Sequence, residues 1–275
     1  MTSTFVRQVG QGPAVVCLHA NAASSSQWRG LMDRLSSRHT VIAPDAYGSG
    51  KGPAWTESRL MDLEDEAALN RPLLNELDGP LCLVGHSHGA AVALLLALEL
   101  HRQQPGRVAA LALYEPTLFA VALHLDRHDP EVAGIQDAVG RSVALAAAGD
   151  PDAGAGAFID YWMGEGAWAA TPEARKPGII DAARLVDHWR HALCESPLRA
   201  EDFKALDVPV FYGIGAHTRP SARRVADLLT AALPNVTVQT FADAGHMGPI
   251  THADAVNAAV DNFLRGMLFR RALPD

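Results

Sequence analysis

An α/β architecture, a mostly parallel sheet with helices on both faces, is predicted by three features of this 275-residue sequence. Short β-type runs alternate with longer helical patterns, the rhythm of strands joined by crossover helices. The central runs are apolar at successive positions rather than at every second one, so both faces of those strands need covering. Hydrophobic residues make up 48% of the chain and charged ones 20%, which suits one large core and argues against general disorder.

The elements follow in order. Phe5–Val9 and Ala14–Leu18 read as an opening pair of strands joined by the turn-forming string Gly10-Gln11-Gly12-Pro13. Ser24 to Ser26 can cap the helix expected over Gln27–Ser36. Val41–Ala43, Leu81–Val84 and Val108–Tyr114 are strands, separated by helical patterns at Leu60–Leu77 and Ala90–Gln103. From 118 to 204 no strand is convincing; alanine-rich helical pieces are broken by Gly149-Asp150-Pro151, Gly154, Gly156, Pro172 and Pro177-Gly178. Val210–Ile214, Arg223–Leu233, Val236–Phe241 and Ala255–Leu268 then complete the alternation. The expected organisation is a core of residues 1–117 and 205–275 with a helical cap over 118–204, in which Ala146–Ala157 is expected to be a mobile loop.

Composition narrows the partners. Acidic residues outnumber Lys and Arg, 31 to 23, for a formal charge of −8, and no basic run is present, so nucleic acid is not an expected partner. The longest apolar stretch, Ala90–Leu98, is about half of what a bilayer-spanning helix needs, and no membrane association is expected. Residues 1–10 lack the basic start and apolar run of a signal peptide. Cys17, Cys82 and Cys194 are too few and too scattered for a disulfide framework or a zinc site. A cytoplasmic protein, monomeric or homodimeric, is the expectation.

The strongest motif is Gly85-His86-Ser87-His88-Gly89, placed between an apolar strand and a small-residue helix. A serine at such a turn projects its hydroxyl from a strained backbone, and the glycines let strand and helix approach. Ser87 is therefore the candidate nucleophile. The backbone N–H of His88, at the start of the helix, is a candidate oxyanion donor, and that of Asn21, in the loop Leu18-His19-Ala20-Asn21, is the second. Ser87 needs a base to take its proton. Of 12 histidines, His246 in Asp243-Ala244-Gly245-His246 follows the last strand and is the candidate. His19 and His86 are candidate pocket residues, with His19 also suited to shaping its loop. Tyr161, Trp162, Trp168 and Trp189 either line the pocket from the cap or pin the cap to the core. His188 and His191 share a helix face, but no third metal ligand is evident; no metal, nucleotide or organic cofactor is expected.

These motifs, with Pro44-Asp45-Ala46-Tyr47-Gly48-Ser49-Gly50, resemble the α/β-hydrolase superfamily of the capped type found among bacterial esterases, lactonases and carbon–carbon bond hydrolases. The resemblance spans essentially the whole chain. It implies that Asp45 is structural and that the cap selects the substrate. It also implies an acid partner for His246, and here the sequence departs from the common pattern. An aspartate is usual after the strand matching Val210–Ile214, where this chain reads Gly215-Ala216-His217-Thr218. Some relatives, including many haloalkane dehalogenases, carry the acid one strand earlier, which points to Glu115. A dyad in which water or Thr218 holds His246 and a role for Asp243 stay open. The implied function is hydrolysis of a small ester, thioester, lactone or similar acyl compound through an acyl-enzyme on Ser87. Carbon–carbon hydrolysis, lyase or perhydrolase chemistry on the same residues is one alternative, and a low-turnover ligand-binding protein is another. A serine at position 87 argues against dehalogenase and epoxide-hydrolase chemistry.

Overall fold

Seven strands form one sheet: β1 (Val6–Val9), β2 (Ala14–Leu18), β3 (Thr40–Pro44), β4 (Leu81–His86), β5 (Val108–Tyr114), β6 (Val210–Gly215) and β7 (Val236–Phe241). The computed structural model describes residues 3–272, so the outermost residues of the predicted core, 1–2 and 273–275, lie outside them. The strand order is β1-β3-β2-β4-β5-β6-β7, with β1 antiparallel to β3 and every other pairing parallel.

The opening strands are not a pair. β3 lies between them, and the glycines of the linker show why. Gly10 and Gly12 have φ of 78° and 114°, and a Cβ on either would stand 2.2 Å from the His39 carbonyl or 2.5 Å from that of Arg38. The linker therefore crosses directly over the backbone that leads into β3, a path only glycine permits.

Helices α1 (Arg29–Leu35), α2 (Leu63–Asn75), α3 (His88–Gln103), α4 (Ala120–Leu123), α5 (Pro130–Ala147), α6 (Pro151–Met163), α7 (Lys176–Ala183), α8 (Val186–Cys194), α9 (Pro220–Ala232), α10 (Gly248–Thr251) and α11 (Ala253–Ala272) complete the chain. Strand alternation divides the core in two. Val16 and Leu18, Leu81 and Leu83, and Leu111 and Leu113 point to the side of α2, α3 and α9. Val15 and Cys17, Val84, and Ala112 and Tyr114 point to the side of α1 and α11. Apolar runs that fill both faces of a strand are thus each half of a separate core.

Between β5 and β6 the chain makes α4 to α8 without a strand. The expected mobile loop at Ala146–Ala157 is instead mostly helix. Asp150 accepts from the N–H of Ala153 and Pro151 opens α6, two ordinary helix-start devices. Two of the three glycines in this stretch serve contact: a Cβ on Gly154 would lie 2.8 Å from the Ser142 carbonyl, and one on Gly156 2.7 Å from the Trp168 ring. Among the described residues no helix is long and apolar enough to cross a membrane.

Because β2, β4, β5, β6 and β7 run parallel, their carboxyl ends share one edge of the sheet. Loops leaving that edge carry Asn21, Ser87, Glu115, Thr218 and His246, whatever their separation in sequence.

Candidate active site

Ser87 is the single residue between the end of β4 and the start of α3. Its backbone has φ 56° and ψ −120°, a conformation that side-chain-bearing residues rarely adopt. Close packing of backbones holds it there. A Cβ on Gly85 would stand 2.5 Å from Cα of Ala90, and one on Gly89 2.3 Å from the Leu18 carbonyl. Only two other described non-glycine residues have positive φ, Ala22 and Glu115, and both sit in loops leaving the same sheet edge.

The sharp turn aims the Ser87 hydroxyl at His246. Nε2 of His246 lies 2.9 Å from Ser87 Oγ, and its Nδ1 lies 2.7 Å from Glu115 Oε2. Glu115 also accepts from the Gly215 N–H at 2.7 Å and from the Thr218 hydroxyl at 2.5 Å. With the carboxylate accepting, Nδ1–H donates to it, and Nε2 is left bare to accept the Ser87 proton. All three side chains are buried. The end of β6, where the sequence has no acid, thus supplies two donors that hold an acid delivered by β5. Thr218 holds Glu115 rather than the histidine. Gly215 also lets β6 approach the His246 loop, since a Cβ there would stand 2.4 Å from the Ala244 carbonyl.

Surrounding groups fix the histidine loop. Tyr114 donates to the Gly245 carbonyl at 2.9 Å. His86 sits behind the site: its Nε2–H donates to the His246 carbonyl at 2.8 Å, while Nδ1 accepts from the Gln27 amide at 3.1 Å. Burial, and then the neighbouring His246 ring, holds the His86 pKa well below the ordinary histidine range, so the ring is neutral. His19 donates from Nδ1 to the Ala20 carbonyl at 2.8 Å and accepts at Nε2 from Ala46 N–H at 3.0 Å, which ties the loops after β2 and β3 together. Asp45 reinforces that tie by accepting from the N–H groups of Ser25 and Lys51.

A cavity opens above Ser87. Asn21, Ser87 and Thr117 line it from the sheet edge, and Ile135, Val139, Phe158, Trp162, Trp189 and Leu193 line it from α5, α6 and α8. Of the predicted pocket residues, Trp162 and Trp189 take part. His19 and His86 do not, because both ring nitrogens of each are engaged in loop-tying hydrogen bonds behind the cavity. Trp168 packs on Gly156 instead and donates from Nε1 to Asp152 at 3.2 Å. Tyr161 turns away to meet the Ser221 hydroxyl at 2.8 Å. Thr117, Phe158 and Leu193 were not singled out from sequence. Phe158 and Leu193 lie four residues from Trp162 and Trp189 on α6 and α8, so helical spacing could have found them once the tryptophans were trusted. The pair His188 and His191 fastens α8 to the segment before α2: His188 accepts from the Met61 N–H and His191 meets Asp62, each at 3.2 Å.

Of the two predicted oxyanion residues, His88 follows Ser87 in the chain and Asn21 lines the same cavity just past β2. His88 begins α3, where first-turn N–H groups have no acceptor within the helix. The His88 side chain points elsewhere, into a smaller cavity shared with Glu66 and Asn70. Burial pushes the His88 pKa down to about 3 and that of Glu66 up to about 8. Glu66 therefore makes a testable contribution. Its folded pKa lies above the unfolded value of 4.5, so the folded protein keeps a proton that the unfolded chain releases, and stability falls as pH rises between about 4.5 and 8. Glu66→Gln, which cannot ionise, is expected to gain stability over the parent across that window, and denaturant melts at pH 5 and pH 8 check it.

Comparison with known proteins bears on the family and the fold. The family described as alpha/beta hydrolase fold matches residues 13–253. Lipase LipV of Mycobacterium tuberculosis is 31% identical over 268 residues, covering 90% of this chain and 92% of the lipase. A pimeloyl-[acyl-carrier protein] methyl ester esterase of Methylococcus capsulatus is 26% identical, covering 94% of this chain and 98% of the esterase. Among solved structures, a thermophilic esterase from Thermogutta terrifontis superposes with a TM-score of 0.75 at 22% identity, covering 96% of this chain and 93% of that one.

Proposed function

The chain belongs to the alpha/beta hydrolase family and is a hydrolase of that fold, and on this premise we propose that it is a serine esterase acting on small carboxylic esters or related acyl compounds. The observation that carries the proposal is the unbroken line of hydrogen bonds from Ser87 through His246 to Glu115, opening onto an apolar cavity.

In this reading Ser87 Oγ attacks the ester carbonyl carbon while His246 Nε2 takes its proton. Glu115 keeps the proton on Nδ1 and stabilises the imidazolium that forms. The carbonyl oxygen becomes an oxyanion held by the N–H groups of Asn21 and His88. Collapse of the intermediate breaks the bond to the alcohol oxygen, which leaves with the proton from His246. Water then attacks the acyl-enzyme by the same route in reverse, giving the carboxylic acid and free Ser87. Residues 118–204 serve as the cap, and their aliphatic and aromatic walls favour a hydrocarbon acyl or alcohol group. The names of the lipase and methyl ester esterase relatives support ester chemistry. Glu115 in contact with His246 supports turnover over the low-turnover binding alternative.

A panel of nitrophenyl esters of increasing acyl length tests the proposal. A burst of nitrophenol equal to the enzyme concentration, followed by steady turnover that peaks at one chain length, is expected. No burst and no turnover with any member would overturn it.

A further inference from the structure

We propose that Trp162 is a positioning residue for this reaction: its indole clamps the open face of His246 and favours the charged imidazolium over the neutral ring. The inference rests on the triad reading above. The two rings stack with centroids 3.8 Å apart and an interplanar angle of 26°. Both imidazole nitrogens are already committed in the ring plane, one to Ser87 and one to Glu115. A face-on contact is the one way to restrain the ring further without competing for either nitrogen. The face of an indole carries negative electrostatic potential, so the attraction grows when the imidazole becomes a cation. During turnover His246 becomes that cation as it takes the Ser87 proton, so the stack strengthens toward the transition state.

The clamp is itself braced. Tyr161 meets Trp162 edge-on, with centroids 4.9 Å apart, and bonds the Ser221 hydroxyl at the start of α9. Arg219 stands 5.3 Å from the centre of the Tyr161 ring and donates to the Asp160 carbonyl. Arg219 and Ser221 lie one and three residues after Thr218, which holds Glu115. The end of α6 is therefore anchored to the same loop that anchors the acid, and the indole and the carboxylate approach His246 from one support.

Other ionisable groups near His246 must be kept in view. Glu115 faces Nδ1, His86 packs with its ring centroid 5.3 Å away, and Tyr114 bonds the preceding carbonyl. Asp243 lies on the same loop, His217 adjoins Gly245, and Arg219 stands behind Tyr161. None of these is altered by changing Trp162, so a difference between Trp162 variants reports the indole.

Two measurements test the clamp. The first is the pH profile of kcat/KM for an activated ester in the parent, Trp162→Phe and Trp162→Leu. Leucine keeps an apolar wall but has no π face. Its acid limb is expected to move to lower pH by about 0.4 to 1.5 units, and kcat to fall about 2- to 30-fold with KM little changed, from the usual strength of a cation–π contact. Phenylalanine should recover most of both. The second needs no turnover: tryptophan emission against pH. A protonated imidazole quenches an indole stacked on it, so the parent should lose emission as pH falls through the His246 titration, and that step should vanish in both Trp162→Leu and His246→Gln. If no ester is hydrolysed but the emission step behaves in this way, the function reading fails and the clamp stands. If the enzyme is active and Trp162→Leu keeps both the parent acid limb and the emission step, Trp162 is only cavity wall and the clamp is refuted. Should Trp162→Leu not fold, Trp162→Phe and His246→Gln decide by the same step.

Discussion

Ser87→Ala is expected to lower kcat on ester substrates by on the order of 10⁶ while leaving the protein folded. The alanine Cβ occupies the same strained backbone at φ 56°, so the turn neither relaxes nor gains volume. What is lost is the Oγ that forms the acyl bond in the proposed mechanism, and with it the bond to His246 at 2.9 Å. Stopped-flow release of nitrophenol should show no burst. Ser87→Gly should lose the same activity yet melt a few degrees higher, because glycine adopts this backbone freely. Relief of about 1–3 kcal/mol of strain outweighs the entropy glycine adds to the unfolded chain. Equal melting temperatures for the alanine and glycine variants would count against the strain argument.

Glu115→Gln is the second large effect, on the order of 10⁴ in kcat. Glutamine keeps the shape but replaces one acceptor oxygen by a donor. Glu115 accepts from three groups, the Gly215 N–H, the Thr218 hydroxyl and His246 Nδ1. If the amide oxygen serves Gly215, the NH₂ faces His246 and forces the proton onto Nε2, where the ring can no longer accept from Ser87. If the amide flips, two donors meet at Gly215 in a buried site. Either arrangement is costly, the first to catalysis and the second to stability. Steady-state kinetics with a melting curve on the same sample separates them, and near-parent kcat with an unchanged melting temperature would remove Glu115 from the triad.

The parts of this site that could be read from sequence are those whose geometry is local or set by strand ends. Gly85-His86-Ser87-His88-Gly89 places its nucleophile through its own turn, so five residues suffice. Glu115 and His246 are 131 residues apart, yet the resemblance to relatives points to the strands they follow, and strand direction fixes the edge at which each emerges. The failures arise where packing between distant elements decides. Nothing in Phe5–Val9 or Ala14–Leu18 says that β3 will separate them; that depends on a linker crossing the backbone of Arg38 and His39. In Ala146–Ala157 the glycines suggest flexibility, yet Gly154 and Gly156 are contact points for Ser142 and Trp168. Four aromatic residues between 161 and 189 were indistinguishable by type. Rotation of α6 and α8 against the sheet sends Trp162 and Trp189 to the cavity and Tyr161 and Trp168 elsewhere.

The central claim, an acyl-enzyme on Ser87, is tested most directly by mass spectrometry of enzyme quenched in acid during turnover of a nitrophenyl ester. An added mass of one acyl group is expected, mapped by peptide sequencing to Ser87 and absent from Ser87→Ala. Turnover with Ser87 unmodified at every quench time, or an acyl group carried by a different residue, would contradict it.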